Sequence, residues 1–477
     1  MSPVSRQHPN IVLVMTDDQG AWALGASGNR EIITPHLDQL AAEGTRFDRF
    51  FCASPVCSPA RASLYTGLMP SAHGVHDWIS DRHVGPRGQN FLDGLELVTD
   101  VLAKHGYRCG LAGKWHLGAN DVPRPGFVHW FSHQSGGGVY TNAPVVRDGA
   151  LVEQPGYVTD AFTADACAFI RREAGRDRNA PFFLALNYTA PHSPWKDQHP
   201  RRLTELYDDC RFETAPQAPQ HPWARVTALG TPAEGESDLR AALVGYYASI
   251  TGVDEGVGRV LAELDRLGIR DDTLVVFTSD NGFSCGQHGF WGKGNGTNPQ
   301  NLYESSILVP FIVNQPGRVP AGRTVRALVS AYDVKATLLE YAGIDHPGDP
   351  RSPGRSFVDL IEGSDSGAER ERVVVADEYG GTRMIRTEQW KYVRRFPLGP
   401  DELYDLAADP WERHNLVGDP SQARRVTQLA EELALWFAKH TDPLHDARAA
   451  SVTGWGQVEY DHVPGAFNQG PTDRVTP

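Results

Sequence analysis

The stretch "NIVLVMTDDQG" occupies residues 10–20 and places two aspartates soon after a run of five apolar residues. A short apolar run that is rich in β-branched residues and followed by turn residues predicts a buried strand. The same arrangement returns in "DDTLVVFTSDNG", residues 271–282, where Asp280 and Asn281 follow the apolar run. We therefore expect both stretches in the central sheet of one large domain.

Strands and helices alternate along the chain to about residue 345. Helical patterns cover residues 34–51 and residues 239–268, the second of these as one long helix or a helix pair. Between them, "PFFLAL" at residues 181–186 is a predicted strand. Alternation of this kind predicts an α/β fold with a mostly parallel central sheet.

The pattern changes near residue 370 to short strands at hairpin spacing, followed by an amphipathic helical stretch at residues 421–440. This succession is typical of a small α+β subdomain. We predict a large α/β domain at residues 1–368, an antiparallel-sheet-plus-helix subdomain at residues 369–440 and an irregular tail at residues 441–477.

Composition and charge exclude several classes of protein. The 477 residues are 40% hydrophobic and 22% charged, as in ordinary soluble globular proteins. A formal net charge of −14 argues against nonspecific binding to nucleic acid or to an anionic membrane. No apolar run has the length of a membrane span, and the first residues do not form a signal peptide, so we expect a cytoplasmic protein.

Cysteine and lysine usage narrows the chemistry further. The six cysteines are scattered without a C-x-x-C pair, which excludes a zinc finger and a small disulfide scaffold. Only seven of the 45 basic residues are lysines. A lysine inside a tight motif therefore indicates a specific need for its ammonium group.

A set of polar residues follows the predicted strands, where ligands gather in α/β proteins. Each residue alone has an ordinary explanation as a turn residue, but the whole set together indicates a functional site. Three carboxylates and one amide suit a hard cation such as Ca²⁺ or Mg²⁺, whereas two lysines and two histidines suit an anionic tetrahedral group. The members are Asp17, Asp18, Lys114, His116, His192, Asp280, Asn281 and Lys293.

"CSPAR" at residues 57–61 places a cysteine just before a proline that belongs in the first turn of a helix. Cys57 is then expected at the helix N-terminus, where backbone N–H groups and the helix dipole favour negative charge. Arg61 lies one turn further on the same face. A zinc ion would need more thiolate or imidazole ligands nearby, and a disulfide would gain nothing from this position.

The extended motif "CSPARASLYTG" at residues 57–67 resembles the sulfatase signature, and "GKWHLG" at residues 113–118 resembles the second signature of that family. The resemblance covers most of the chain, including residues 10–20 and the "SDNG" segment followed by "GKG". On these motifs the chain is identified as a member of the formylglycine-dependent type I sulfatases, within the alkaline phosphatase superfamily. The implied fold is a large α/β domain with a small C-terminal sheet and one helix.

The resemblance implies that Cys57 is oxidised to formylglycine, also called 3-oxoalanine, by a formylglycine-generating enzyme that reads the motif on the unfolded chain. A hydrated aldehyde offers one hydroxyl to attack the sulfate sulfur and a second whose deprotonation expels the sulfate. The implied metal ligands are Asp17, Asp18, Asp280 and Asn281, with an oxygen of the modified residue 57. Calcium is the expected ion, with magnesium or manganese as alternatives.

The remaining roles also follow from the resemblance. Arg61 and Lys114 would anchor the modified side chain and lower its pKa. His116 would be the base that releases the bound sulfate, while His192 and Lys293 would grip the sulfate and assist the leaving oxygen.

Three further residues flank these motifs and offer substrate contacts, although loop packing explains His288 equally well and explains the other two better: Asp77, His288 and Trp291. The expected substrate is a small sulfate monoester, such as a sulfated carbohydrate. Two alternatives stay open at this point. One is a formylglycine-dependent phosphonate monoester or phosphodiester hydrolase, and the other is a binding protein that never receives the modification. The sequence does not fix the oligomeric state.

Overall fold

The computed structural model describes seven stretches of the chain: residues 8–80, 88–176, 180–225, 239–364, 370–377, 381–450 and 453–467.

The described helices, in chain order, are α1 Pro35–Ala42, α2 Cys57–Thr66, α3 Pro70–His73, α4 Val98–Lys104, α5 Val158–Ala174, α6 Arg201–Thr204, α7 Leu239–Arg266, α8 Glu304–Ile307, α9 Val334–Tyr341, α10 Val358–Ile361 and α11 Ala423–His440.

The described strands, in chain order, are β1 Asn10–Thr16, β2 Thr45–Phe47, β3 Phe50–Phe51, β4 Arg108–Gly113, β5 Phe127–His133, β6 Pro144–Arg147, β7 Ala150–Glu153, β8 Phe182–Asn187, β9 Thr273–Ser279, β10 Ser284–Cys285, β11 Trp291–Gly292, β12 Phe311–Asn314, β13 Arg323–Val325, β14 Val329–Ser330, β15 Arg372–Ala376, β16 Thr382–Thr387, β17 Trp390–Arg395 and β18 Glu402–Asp405.

A ten-stranded sheet forms the centre of the large domain, with the strand order β13-β2-β12-β9-β1-β8-β4-β5-β6-β7. Its five inner strands, from β9 to β5, are parallel to one another. Antiparallel pairs occur only toward the two edges of this sheet, at β12 and at β6. The predicted α/β fold with a mostly parallel sheet is confirmed.

Strand β1 lies in the middle of the sheet, and every one of its side chains is buried. Val12 and Val14 contact the apolar cluster that includes α5 and α7, while Ile11, Leu13 and Met15 contact the cluster on the opposite face with α2 and α9. Each such side chain contributes roughly 1.5–3 kcal/mol on burial. The apolar run therefore fixes the strand between two helical layers.

The helix predicted at residues 34–51 is shorter than expected. Helix α1 ends at Ala42, and the chain then forms β2 and β3. At Gly44 a Cβ atom would lie 2.2 Å from the carbonyl oxygen of Val313, so the chain turns there against the neighbouring strand. Glycine, which disfavours a helix interior, was the signal for this break. Residues 239–266, in contrast, form the single long helix α7.

The C-terminal subdomain is a four-stranded antiparallel sheet, β15-β16-β17-β18, covered by α11. Leu429, Leu433 and Phe437 of that helix pack on the sheet. The predicted boundary at residues 368 and 369 lies outside the described residues, as do residues 451–452 and 468–477 of the predicted tail. The domain limits stay predictions.

Among the helices of the described residues, none combines the length and the apolar character that crossing a membrane requires.

Candidate active site

The parallel pairing of β1 with β9 brings two acidic segments together. Thr16 is in register with Ser279, so Asp17 and Asp280 follow at the same edge of the sheet. The side-chain oxygens of Asp17, Asp18 and Asp280 lie within 4.8 Å of one another, and all three residues are buried. The two sequence segments thus form one carboxylate cluster at the carboxyl ends of the strands.

Helix α2 delivers Cys57 to this cluster. The helix begins at Cys57, contains Pro59 in its first turn and is buried along its whole length, which confirms the predicted helix start. The Cys57 Sγ atom lies 3.2 Å from Oδ1 of Asp17 and 2.7 Å from Nζ of Lys293. The cysteine therefore lies between a carboxylate and an ammonium group.

Each carboxylate of the cluster has a buried or nearly buried cation as its partner. Arg61 Nε donates to Asp280 Oδ2 over 2.8 Å, and Lys293 Nζ donates to Asp18 Oδ1 over 2.5 Å. The third pair joins Lys114 Nζ to Asp17 Oδ2. Each of the three carboxyl groups thus has a cationic group beside it.

The pKa values of the cluster follow from burial and from these partners. Burial alone would raise the pKa of Asp17, but Lys114 and its other cationic neighbours hold it well below its usual range. Burial and the Asp17 charge raise the pKa of Asp280 to about 7. Burial also raises the pKa of the Cys57 thiol to about 12, so the sulfur stays protonated at neutral pH. The unmodified cysteine is a poor nucleophile here.

His116 follows β4 and has a positive φ of 57°, a conformation that is uncommon for non-glycine residues. Its Nε2 atom lies 3.0 Å from the carbonyl oxygen of Ile79. A carbonyl only accepts, so the ring carries its proton on Nε2. Nδ1 is then unprotonated, buried and without a partner in the described residues.

Burial and the nearby Lys114 charge hold the pKa of His116 well below its usual value, so the imidazole is neutral at pH 7. A neutral imidazole with one bare nitrogen is able to accept a proton. This is the state that a general base requires.

His192 and Lys293 lie on another side of the cluster. The His192 Nε2 atom is 3.8 Å from Asp18 Oδ2, and its Nδ1 is 2.7 Å from the Ser193 carbonyl oxygen. The His192 side chain is 26% exposed, whereas that of Lys293 is 9% exposed. His192 thus lies between the buried cluster and solvent.

Two glycines that sequence reasoning missed make room for the histidines. A Cβ atom on Gly136 would lie 2.2 Å from Cε1 of His116, and one on Gly137 would lie 2.6 Å from Cε1 of His192. The signal was present as the run of three glycines at residues 136–138. Such a run indicates a close approach of backbone to another group.

We expect Gly136→Ala to lower kcat by about 10²-fold, because the added methyl group must displace the His116 ring and small misplacements of catalytic groups are costly. Steady-state kinetics with an aryl sulfate would measure this. Gly175→Ala is the control, since its nearest contact would be an ordinary 3.4 Å. Equal activity of the two variants would contradict a tight fit around His116.

The three residues suggested as substrate contacts all have other partners. The Trp291 ring is buried against Trp195, and its indole N–H donates to Gln217. The His288 ring stacks on Tyr303 with centroids 4.1 Å apart. Asp77 is buried and accepts from the backbone N–H of residue 456. These contacts favour packing roles, and substrate contact by the three residues stays a prediction.

The donor set fits the metal ion that the sequence implies. The amide of Asn281 donates to Asp18 Oδ1, but its Oδ1 atom is buried and has no hydrogen-bond partner anywhere in the described chain. A buried acceptor without a donor, beside three carboxylates, suits a hard cation with oxygen ligands. A divalent ion would also add positive charge to the pocket.

The fold and the site together define a hydrolase of anionic tetrahedral esters that works with a buried oxygen-lined cation site. The Sulfatase family profile matches residues 9–344, and a second profile, N-sulphoglucosamine sulphohydrolase, C-terminal, matches residues 286–439. The first match spans well over half of the chain. The protein belongs to the sulfatase family, and it is a sulfuric ester hydrolase.

Named relatives extend over most of the chain. The N-acetylglucosamine-6-O-sulfatase of Bacteroides thetaiotaomicron is 27% identical over 92% of this chain and 88% of its own length. The ulvan-active sulfatase of Formosa agariphila is 31% identical over 89% of this chain and 80% of its own length. The similarity therefore includes both the large domain and the C-terminal subdomain.

Solved structures show the same fold. A protein in complex with its substrate D-glucosamine-2-N,6-O-disulfate has a TM-score of 0.77 at 25% identity, over 93% of this chain and 100% of that one. The phosphonate monoester hydrolase of Agrobacterium radiobacter has a TM-score of 0.68 at 24% identity, over 93% and 98% of the two chains. The second likeness shows the fold alone. The alkaline-phosphatase-like architecture is confirmed.

Proposed function

We propose that this sulfatase removes sulfate from a sulfated carbohydrate through a formylglycine made from Cys57. The observation that carries the proposal is the position of Cys57, at the first residue of α2 and between Asp17 and Lys293. The names of the carbohydrate-directed relatives and the sugar disulfate in the similar structure support the substrate class. A formylglycine-generating enzyme is the expected partner in maturation.

Asp17, Asp18, Asp280 and Asn281 would hold a calcium ion, as their clustered oxygens and the unpartnered Asn281 Oδ1 suggest. Calcium fits because all these ligands are oxygen atoms and the cluster comes from two separate loops. When bound, it would supply positive charge that polarises the sulfate group. Magnesium or manganese would satisfy the same donor set.

The chain's own residues divide the remaining work. Arg61 and Lys114 hold Asp280 and Asp17 in place and add positive charge beside residue 57. Lys293 and His192 lie where an anionic sulfate would need donors, and donors aimed at developing charge lower the barrier. His116 presents a bare Nδ1 and takes the proton whose removal releases the sulfate.

Active protein should carry an aldehyde at residue 57. The peptide that contains this residue should weigh about 18 Da less than its cysteine form, which is the difference between a thiol and an aldehyde side chain. Mass spectrometry of the digested protein would measure the converted fraction, and specific activity should rise in proportion to it. Full activity with wholly unmodified Cys57 would contradict the proposed nucleophile.

A substrate panel would test the carbohydrate assignment. We expect the converted enzyme to hydrolyse sulfated monosaccharides more efficiently, by kcat/KM, than phosphonate monoesters or phosphate diesters. The Cys57→Ala variant is the control for contaminating activity. A preference for phosphonate monoesters would instead support the alternative hydrolase, which uses the same fold.

A further inference from the structure

Residues 453–467, the C-terminal arm, lie beyond both family matches, which end at residues 344 and 439. The arm folds back onto residues 74–80, the 74–80 loop. This loop follows α3 and contains no helix among the residues described. Its backbone groups therefore need partners from elsewhere in the chain.

The side chain of Gln457 supplies three of those partners. Its Oε1 accepts from the backbone N–H of His76 over 2.8 Å and from that of Asp77 over 3.4 Å. Its Nε2 donates to the carbonyl oxygen of Gly74 over 2.9 Å. Gln457 is fully buried, so no solvent competes for these bonds.

The backbone of Gln457 continues the contact on both sides of Ile79. Gln457 N donates to the Trp78 carbonyl oxygen over 2.8 Å, and Ser80 N donates to the Gln457 carbonyl oxygen over 3.1 Å. Gln457 and Ile79 form an isolated parallel bridge. The bridge fixes the backbone on either side of Ile79. It does not use the N–H and carbonyl groups of Ile79 itself.

Those peptide groups contact the catalytic region. The Ile79 carbonyl oxygen is the partner of His116 Nε2 at 3.0 Å. The Ile79 N–H donates to Ser58 Oγ over 3.0 Å, and Ser58 Oγ donates to the His116 carbonyl oxygen over 2.9 Å. Ser58 directly follows the cysteine that is to be modified. The Ile79 peptide therefore touches both the imidazole and the helix start.

The arm has independent anchors on the same loop. Gly456 N donates to Asp77 Oδ2 over 3.1 Å, and the positive φ of 90° at Gly456 requires glycine. The His76 Nε2 atom lies 3.3 Å from Asp461 Oδ2 of the arm, and it also lies 2.9 Å from the carbonyl oxygen of His445, which precedes the arm. The arm thus contacts this loop at several separate points.

We infer that Gln457 is a positioning residue for His116, acting through the 74–80 loop. The inference rests on the proposed role of His116 as the base that releases sulfate. Gln457 holds the loop so that the Ile79 carbonyl accepts the Nε2 proton. That bond keeps Nδ1 unprotonated and the ring in one orientation. Without it, the ring is free to turn or to change tautomer.

The test is Gln457→Met, which keeps the side-chain volume but removes its hydrogen bonds. We expect kcat and KM to fall together by about 10²-fold with kcat/KM nearly unchanged, because only the breakdown of the sulfated intermediate is slowed while the sulfate-binding groups are intact. Rapid mixing with an aryl sulfate should then show a burst of alcohol. Intact-protein mass should show sulfate retained at residue 57.

Val458→Ala is the matched control, since Val458 is a buried neighbour whose side chain makes no hydrogen bond. It should lower the melting temperature without a burst. Gln457→Glu keeps the acceptors for His76 and Asp77 and should fall between wild type and Gln457→Met. It also provides a test should the methionine variant fail to fold.

His116→Ala, measured in parallel, separates the possible failures. The positioning role would be overturned by a burst in His116→Ala together with none in either Gln457 variant. It would also be overturned if the Gln457 variants lost activity only in proportion to their melting temperature, as expected for Val458→Ala. Absence of a burst in His116→Ala would overturn the proposed role of His116 and the inference with it. Bursts in both His116→Ala and Gln457→Met would support the inference.

Discussion

A His116→Ala enzyme is expected to release about one equivalent of alcohol per active site and then to stall. The proposed mechanism assigns sulfate release to the bare Nδ1 of His116 and alcohol release to Lys293 and His192. Removing a general base slows its step by about 10²–10⁴-fold. The second half-reaction should therefore become limiting while the first proceeds.

Rapid-mixing kinetics with an aryl sulfate would reveal the burst. As sulfate stays on residue 57, intact-protein mass should rise by about 80 Da relative to the hydrated aldehyde, or by about 98 Da relative to the free aldehyde. Lys293→Ala and His192→Ala should instead weaken sulfate binding and slow alcohol release, with no retained adduct. His440→Ala is the control for loss of a buried histidine, since His440 bonds the Arg351 carbonyl oxygen at the end of α11. Normal turnover by His116→Ala would refute its role.

Asp280→Asn is expected to abolish both metal binding and turnover. Asparagine leaves the buried Arg61 charge without its ionic partner, a loss of up to about 3–5 kcal/mol, but it keeps the side-chain shape and an acceptor for Arg61. It nevertheless removes one carboxylate from the three that line the cluster. The donor set is then reduced while the fold is retained.

Metal content and melting temperature give readouts that do not depend on activity. Calcium at a hundred times its dissociation constant should stabilise wild type by about 2.7 kcal/mol and leave Asp280→Asn unchanged. Asp333→Asn is the matched control, because Asp333 is a buried aspartate paired with Arg370 away from the cluster. Unchanged calcium binding by Asp280→Asn, or zinc held through nitrogen or sulfur, would contradict the assignment.

Local chemistry made part of this structure predictable. Two kinds of pattern determine local structure within a few residues and were therefore visible in the sequence. They are the apolar runs of β1 and β9 and the proline in the first turn of α2. Because parallel strands place their carboxyl ends at one edge, the meeting of Asp17 with Asp280 followed from the strand prediction. The central carboxylate cluster could be anticipated for this reason.

Other features depend on contacts that no local pattern contains. The strand β2 that follows α1 depends on pairing with β12, which lies about 270 residues away in sequence. The proton position on His116 is set by the backbone of Ile79, and any residue type carries such a carbonyl. Gln457 meets the N–H of His76 across 381 residues. Such pairings become visible only in the folded chain.

The complete burial of α2 has a consequence for how the enzyme must be made. Cys57 is only 2% exposed, so once the chain has folded no second enzyme can reach its side chain. The proposed oxidation would therefore compete in time with folding, and a molecule that folds first would keep its thiol. The active fraction of a preparation would then be set during synthesis, and later treatment of the native protein would not change it.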